Sequence, residues 1–372
     1  MKKVTIFALH LGFGGVEQYI SSLCKMLEND FEIEIISTYK LFERPAFNFS
    51  NKIKITYLMD YGPNKEELKN AIKNRNIFNI FKEALKSIKI LYLRKKLNIS
   101  AIKKLNTDYV ITTRFHSKLV GKYLKCDALK IATEHNYHND NKKYIKSIIN
   151  SIKGFDYFIC VSNSLKEFYE NKIGNTKCIY IPNVIDYMPK DKSKIENNTI
   201  ISIGRLSPEK GQADLIDIIE LVKKDIPSIK LYLIGDGALR TSLENKVREK
   251  QLEKNIIFTG FLNKEDMEKY MLKSDLYVMT SYTESFGLVL IEAMSYGLPT
   301  IAFDSANGAK ELLKNEVGIL VSDRDKKKMA REIVRLLKEK NKCKIIANRG
   351  YEYCQQFLIS NVKKQWLELM NK

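Results

Sequence analysis

Two carboxylates and two cations carry most of the chemistry that this 372-residue chain offers. Glu284 and Glu292 are separated by seven residues in ESFGLVLIEAMSYGLP (284–299). Ser285, Phe286 and Gly287 read as a turn, and Leu288 to Ala293 as the start of a helix. That puts Glu284 on a loop and Glu292 inside the helix, both near its N-terminal end. Backbone N–H groups around Gly287, Leu288 and Val289 would then face a pyrophosphate. One carboxylate could accept sugar hydroxyls and the other a ribose diol, each through charge-assisted hydrogen bonds. The alternative is a pair of glutamates on a helix flank, one of them a cap. The setting of Glu292 in the apolar run LVLIEAM argues against it, because a buried carboxylate needs a partner.

The cations are Arg205 and Lys210 in GRLSPEKG, directly after the apolar run TIISIG. Fixed positive charge at a strand end can neutralise a diphosphate as it leaves. Pro208 and Gly211 bracket Lys210 in what reads as a shaped turn. The plain alternative is a surface Arg and Lys on a loop. A third feature is the glycine loop Gly12-Phe13-Gly14-Gly15-Val16-Glu17, between an apolar run and a helical pattern. Gly14 and Gly15 would let backbone approach a phosphate at a helix N-terminus. The dinucleotide spacing G-x-G-x-x-G fails, because Glu17 occupies the third glycine position.

These groups need strands to hold them. Apolar runs at 4–9, 31–38, 53–58, 108–113, 129–135 and 156–162 read as strands, with helical stretches between several of them, Val16–Leu27 among them. The pattern repeats at 199–205, 229–237, 256–261, 275–281, 299–304 and 318–321. Buried-looking strands with helices between them predict parallel sheets covered on both faces. The expectation is an α/β chain with two doubly wound Rossmann-like domains facing across a cleft at the carboxyl ends of their strands. The boundaries expected are 1–182 and 183–354, with a C-terminal helix at about 355–372 returning to the first domain. The opening MKKVTIFALHLGFGG reads as a first strand rather than a signal peptide, since His10 interrupts the apolar run and no cleavage site follows.

The net charge of +19 draws anions: nucleic acid, phosphorylated small molecules or an anionic membrane face. No nucleic-acid module is recognisable, so a nucleic-acid partner is not expected. Six cysteines form no CxxC pair, which suits a reducing, cytoplasmic compartment. Residues 65–104 concentrate lysine. Within them Ile77, Phe81, Ala84, Leu85, Ile88, Leu91 and Tyr92 fall on one helical arc, beside Lys82, Lys86 and Lys89, with Ile90 and Leu93 widening it. A basic amphipathic helix over 77–96 would lie in an anionic membrane interface, each lysine contributing about 1 kcal/mol. A core-facing helix with a solvated lysine face is the alternative.

In order along the chain, GFGGVEQY, VSNSL (161–165), IPNVID (181–186), GRLSPEKG, IGDG (234–237), FTGF (258–261) and the E-x7-E block resemble the family 4 (group 1) glycosyltransferases of GT-B fold. These build bacterial surface polysaccharides and lipid-linked glycans. The resemblance implies a retaining, metal-independent transferase with no cofactor beyond its nucleotide diphosphate sugar, a UDP-sugar favoured over a GDP-sugar. It assigns Glu284 to the transferred sugar, Glu292 to the donor ribose, and Arg205 and Lys210 to the diphosphate. Gly235 belongs to the IGDG turn, and Phe261 to a loop bordering the base. His135 falls where the family often has a histidine near the sugar's primary hydroxyl; a structural histidine is its alternative. Val184 departs from the glycine or proline that many relatives have after the asparagine of P-N-x-x-D.

Asp323-Arg324-Asp325 matches the D-x-D of metal-dependent transferases, but it precedes a helical pattern over Lys326–Lys338 and reads as an acidic cap; no metal is expected there. The acceptor implied is a glycan or lipid-linked glycan, at the inner face of the cell membrane. Two other readings stay open: a GT-B nucleotide-sugar epimerase or phosphorylase, and a basic membrane- or nucleic-acid-binding scaffold without catalysis.

Overall fold

The computed structural model describes residues 1–371 and, for Arg114, the backbone alone. The chain divides into two compact units. One comprises Met1–Val161 with Lys166–Tyr180, the other Ser162–Leu165 with Ile181 onward.

The first unit holds a seven-stranded parallel sheet. Its strands are β1 (Lys3–Ala8), β2 (Glu32–Tyr39), β3 (Lys54–Met59), β4 (Tyr109–Thr113), β5 (Leu129–Glu134), β6 (Tyr157–Cys160) and β7 (Lys177–Tyr180), in the order 3-2-1-4-5-6-7. The apolar start of the chain is β1, in register with β2 (Ile6 beside Ile35) and β4 (Ile6 beside Ile111). Its residues after Lys3 are fully buried, as a strand covered on both faces requires. Strand β7 has no counterpart in the sequence reading: KCIY is four residues long, opens on a lysine and forms the sheet edge.

The second unit repeats the plan with six parallel strands: β8 (Thr199–Ile203), β9 (Lys230–Ile234), β10 (Ile256–Gly260), β11 (Leu276–Met279), β12 (Thr300–Phe303) and β13 (Ile319–Val321), in the order 10-9-8-11-12-13. Helices Gln212–Asp225 and Lys326–Lys338 pack their apolar sides onto this sheet in a continuous core. In each sheet the order reverses beside the first strand, at β1/β4 and β8/β11. That is where open α/β sheets leave a crevice for ligands at the strands' carboxyl ends.

The terminal segment, for which the sequence reading expects a return to the first domain, groups with the second unit; Lys372 lies outside the described residues. Within that unit the Ile185 N–H donates to the Phe357 carbonyl, and the Phe357 ring stands edge-on to Phe286 at 5.6 Å.

Helix Ile77–Lys103 is a single 27-residue helix of the first unit. Ile90, Leu93 and Leu97 pack on Tyr39 and Met59 of the sheet. At about 100° per residue these three lie roughly opposite Ile77, Phe78, Phe81, Leu85, Ile88 and Tyr92, all of which stand exposed. Ile90 and Leu93 therefore do not widen the exposed arc; they form the separate side by which the helix is held. No described helix is long and apolar enough to cross a membrane.

Candidate active site

In the second unit Lys210 and Glu284, 74 positions apart, meet at the β8/β11 reversal. Strand β8 pairs directly with β11, Ile201 beside Tyr277, so the loops that leave their carboxyl ends emerge side by side. The Lys210 Nζ donates to Glu284 Oε2 at 2.6 Å, with both side chains about three-quarters covered. The Lys210 methylenes lie over Gly204, the last turn of backbone before Arg205. Three further ties fasten the two loops: Thr280 Oγ1 donates to the Lys210 carbonyl, the Tyr282 N–H to the Glu209 carbonyl, and the Tyr282 hydroxyl to Asp214. Gly211 makes this approach possible. At φ +66°, a Cβ there would sit 2.2 Å from the Thr280 carbonyl oxygen, which no side chain can accommodate.

Arg205 is exposed, its carbonyl bonded by the Gln212 side chain. Burial would raise the Glu209 carboxyl, but hydrogen bonding from Ser207 and its own backbone, with the charges of Arg205 and Lys210, holds it below the usual range. Glu209 therefore stays ionised and offsets part of the positive charge that Arg205 and Lys210 bring to the turn.

The E-x7-E block forms a loop and helix Leu288–Ser295, entered through Gly287 in the left-handed conformation. No side chain caps the helix, and Leu288 and Val289 at its start are half-buried. Glu292 is half-buried on this helix, rather than sealed in the apolar interior as the run LVLIEAM suggests. Leu290, Ile291, Ala293 and Met294 take the inward side. Burial first, then the negative charges of Glu284 and Glu292, push the Tyr277 phenol upward, so both carboxylates lie within electrostatic reach of one buried hydroxyl. Ser285 is buried, and the Phe286 ring is turned into the core against Phe357; of the site expected here, Phe286 can supply only backbone.

Gly308 is a partner that sequence reasoning missed. Its N–H donates to the Glu284 carbonyl at 2.8 Å, and a Cβ there would lie 2.5 Å from the Phe286 carbonyl carbon and oxygen. Helix Asn307–Leu312 thus presses directly on the Glu284 loop. Nothing in SANGAKEL marks this glycine, since its partners Glu284 and Phe286 are 24 and 22 positions upstream.

The IGDG and FTGF loops meet through the Gly235 N–H, which donates to the Gly260 carbonyl at 2.9 Å; Phe261 follows, exposed. Asp325 caps helix Lys326–Lys338 by accepting from the Lys328 N–H, as its position predicts. Among the described residues no three His, Cys, Asp or Glu side chains form a metal-binding group.

In the first unit, Gly14 is extended and Gly15 opens helix Gly15–Leu27. The Gly12 N–H points to His10 Nδ1 at 3.2 Å, and Glu17 Oε1 lies 3.3 Å from the same nitrogen. One nitrogen cannot accept from the amide and donate to the carboxylate at once. The directed amide bond is the better-defined of the two contacts. His135 follows β5, half-buried, with Nε2 2.9 Å from Thr133 Oγ1 and its ring 4.2 Å from that of Tyr19. The loop beneath it is held by Glu134, another residue missed from sequence. Its buried carboxylate accepts the His135 and Asn136 N–H groups and the Tyr144 hydroxyl.

Two doubly wound units, the second with a Lys–Glu pair at its strand reversal, define a chain of GT-B architecture. Residues 185–353 match the family model described as glycosyl transferases group 1. This match lies within the second unit. Over its full length it is 28% identical to 98% of a Campylobacter jejuni protein named GalNAc-alpha-(1->4)-GalNAc-alpha-(1->3)-diNAcBac-PP-undecaprenol alpha-1,4-N-acetyl-D-galactosaminyltransferase. A second C. jejuni relative, N-acetylgalactosamine-N,N'-diacetylbacillosaminyl-diphospho-undecaprenol 4-alpha-N-acetylgalactosaminyltransferase, is 24% identical over 96% of each chain. Among solved structures, S. aureus TarM in complex with fondaparinux, alpha-GlcNAc-glycerol and UDP superposes over all of both chains with a TM-score of 0.80 at 16% identity. Anabaena HepE in complex with UDP does so with a TM-score of 0.77 at 20% identity. These likenesses establish the GT-B fold.

Proposed function

We propose that the chain is a retaining glycosyltransferase that moves a sugar from a nucleotide diphosphate donor, a UDP-sugar in preference to a GDP-sugar, to a glycan or lipid-linked acceptor in cell-surface polysaccharide synthesis. The observation that carries this is the Lys210–Glu284 pair at the carboxyl ends of β8 and β11. An ammonium has three donors; with one spent on Glu284, the others can meet a departing diphosphate. Arg205 adds a second cation, and the open N-terminus of helix Leu288–Ser295 adds backbone N–H groups. Glu284 and Glu292 accept hydroxyls of the sugar and the ribose. The acceptor hydroxyl attacks on the face from which the diphosphate leaves, the donor phosphate takes its proton, and the anomeric configuration is kept. Neutralisation of the leaving group rests on Arg205 and Lys210, without a metal. The names of the two C. jejuni relatives, both transferases acting on undecaprenol-linked glycans, support the acceptor class. UDP in the HepE and TarM structures supports the donor class.

The place of action is the anionic inner face of the cell membrane. The exposed row from Ile77 to Tyr92, turned away from the side that packs and bordered by Lys82, Lys89 and Lys96, supports this. Apolar side chains enter the interface while the lysines meet anionic headgroups.

A panel of UDP- and GDP-sugars, with a lipid-linked glycan as acceptor, tests the reading. One donor should be consumed with formation of an α-linked product from an α-linked donor. Epimerised donor without transfer, or a requirement for inorganic phosphate, would replace it with the epimerase or phosphorylase reading.

A further inference from the structure

We propose that Arg324 is a positioning residue that sets the placement of Lys210 and Glu284 by stapling together the loops that carry them; this rests on reading that pair as the donor-handling groups. Arg324 occupies the left-handed region, φ +57°, where glycine or asparagine stands at less strain. The helix that follows needs nothing from its side chain, because Asp325 is the cap. The guanidinium instead lies between two rings, 3.9 Å from the centre of Tyr282 and 4.3 Å from that of Phe303.

From there all five of its N–H groups are used. Nε donates to Asp323, Nη1 to Asp214 and the Thr280 carbonyl, and Nη2 to the Ser281 carbonyl and Ser305 Oγ. Those acceptors lie at the start of helix Gln212–Asp225, at the end of β11 and just after β12. Thr280 in turn bonds the Lys210 carbonyl, and Tyr282, stacked on the guanidinium, bonds the Glu209 carbonyl. Arg324 is thus two hydrogen bonds from the backbone of Lys210, through Thr280, and four residues from Glu284 at that Thr280 contact. A planar fork of five donors is what this arrangement requires, and an ammonium cannot reproduce it.

The test is steady-state transfer by Arg324→Lys and Arg324→Ala, with the folded fraction measured by thermal unfolding. Displacing a reacting pair by about 1 Å costs on the order of 100-fold. We therefore expect kcat per folded molecule to fall about 10- to 100-fold in both variants, with the donor KM changed less than about 3-fold. Guanidinium ion added to Arg324→Ala, at concentrations far below denaturing, should recover part of kcat by filling the slot between the two rings; it should do nothing for Arg324→Lys. Should Arg324→Ala not fold, Arg324→Lys carries the kinetic test alone. Wild-type kcat per folded molecule in either variant, or a loss equal to the loss of folded protein, would overturn the inference. Glu284→Gln separates the two claims. If it retains turnover, the reading of the pair fails; if it loses turnover while Arg324→Lys does not, only the role of Arg324 fails.

Discussion

The Lys210 ammonium stands 2.6 Å from the Glu284 carboxylate, on neighbouring loops that the pairing of β8 with β11 brings side by side. Each holds the other in place before any donor arrives. A ligand that takes up the ammonium's remaining donors is then met by groups already oriented, which is where electrostatic stabilisation is most effective.

Replacing Glu284 with Gln keeps its size and removes its charge. Transfer should fall about 100- to 1,000-fold, with the unfolding midpoint close to wild type because the pair is a partly exposed one. The check is the initial rate of product formation alongside circular-dichroism melting.

Gly308→Ala is expected to act on the same loop from behind. The added methyl would meet the Phe286 peptide at 2.5 Å, and backbone cannot yield as a flexible side chain can. Stability should drop by about 1–3 kcal/mol, and kcat should fall because relieving the clash shifts the residue-308 N–H away from the Glu284 carbonyl. Urea unfolding and transfer kinetics on the purified variant measure both.

Phe81→Glu with Ile88→Glu places two charges on the outward row, where the side chains are 65% and 64% exposed. Folding stability should change by less than about 0.5 kcal/mol per site. Binding to vesicles containing anionic lipid should be lost. Reversing Lys82, Lys86 and Lys89 to Glu should have the same effect, and wild-type binding should weaken with salt. Co-sedimentation with anionic and zwitterionic vesicles distinguishes these outcomes; undiminished binding in both variants would remove the membrane role of this helix.

His116 is fully buried in the first unit, beside Thr38, and burial lowers its pKa to about 3, with the Arg94 charge pushing the same way against the opposing pull of the Thr113 backbone. Between the ordinary histidine value of about 6.5 and that depressed one, the unfolded chain binds the extra proton. Stability is therefore present above about pH 6.5 and is lost as pH falls, by about 1.4 kcal/mol per pH unit for this one group. His116→Asn should flatten the slope of the urea midpoint between pH 6.5 and 4.5. Below that range Asp214 and Asp217 add their own acid loss. Their burial is outweighed by hydrogen bonds from lysine and arginine, so both are held below the usual carboxylate range.

By itself the sequence determined the elements: thirteen strands less one, and the glutamates, cations and glycines at their ends. Parallel strands covered on both faces must be apolar throughout, so they stand out from the helices between them. Only β7 escaped, too short and too polar at its start for an edge strand to be distinguished from a loop. Helical periodicity also marked the arc from Ile77 to Tyr92, but a wheel has no outside; packing against Tyr39 and Met59 turned Ile90 inward and that arc to solvent. Likewise the D-x-D spacing marked Asp323 to Asp325, where Asp325 proved to be the cap and Arg324 the residue with the longest reach. What tertiary structure alone decided were meetings between distant positions: Lys210 with Glu284, Gly308 with Phe286, Arg324 with Thr280. Those depend on which strands lie next to each other in a sheet. Strand order is set by the packing of the whole unit, whereas local pattern records only what each segment must be to belong to it.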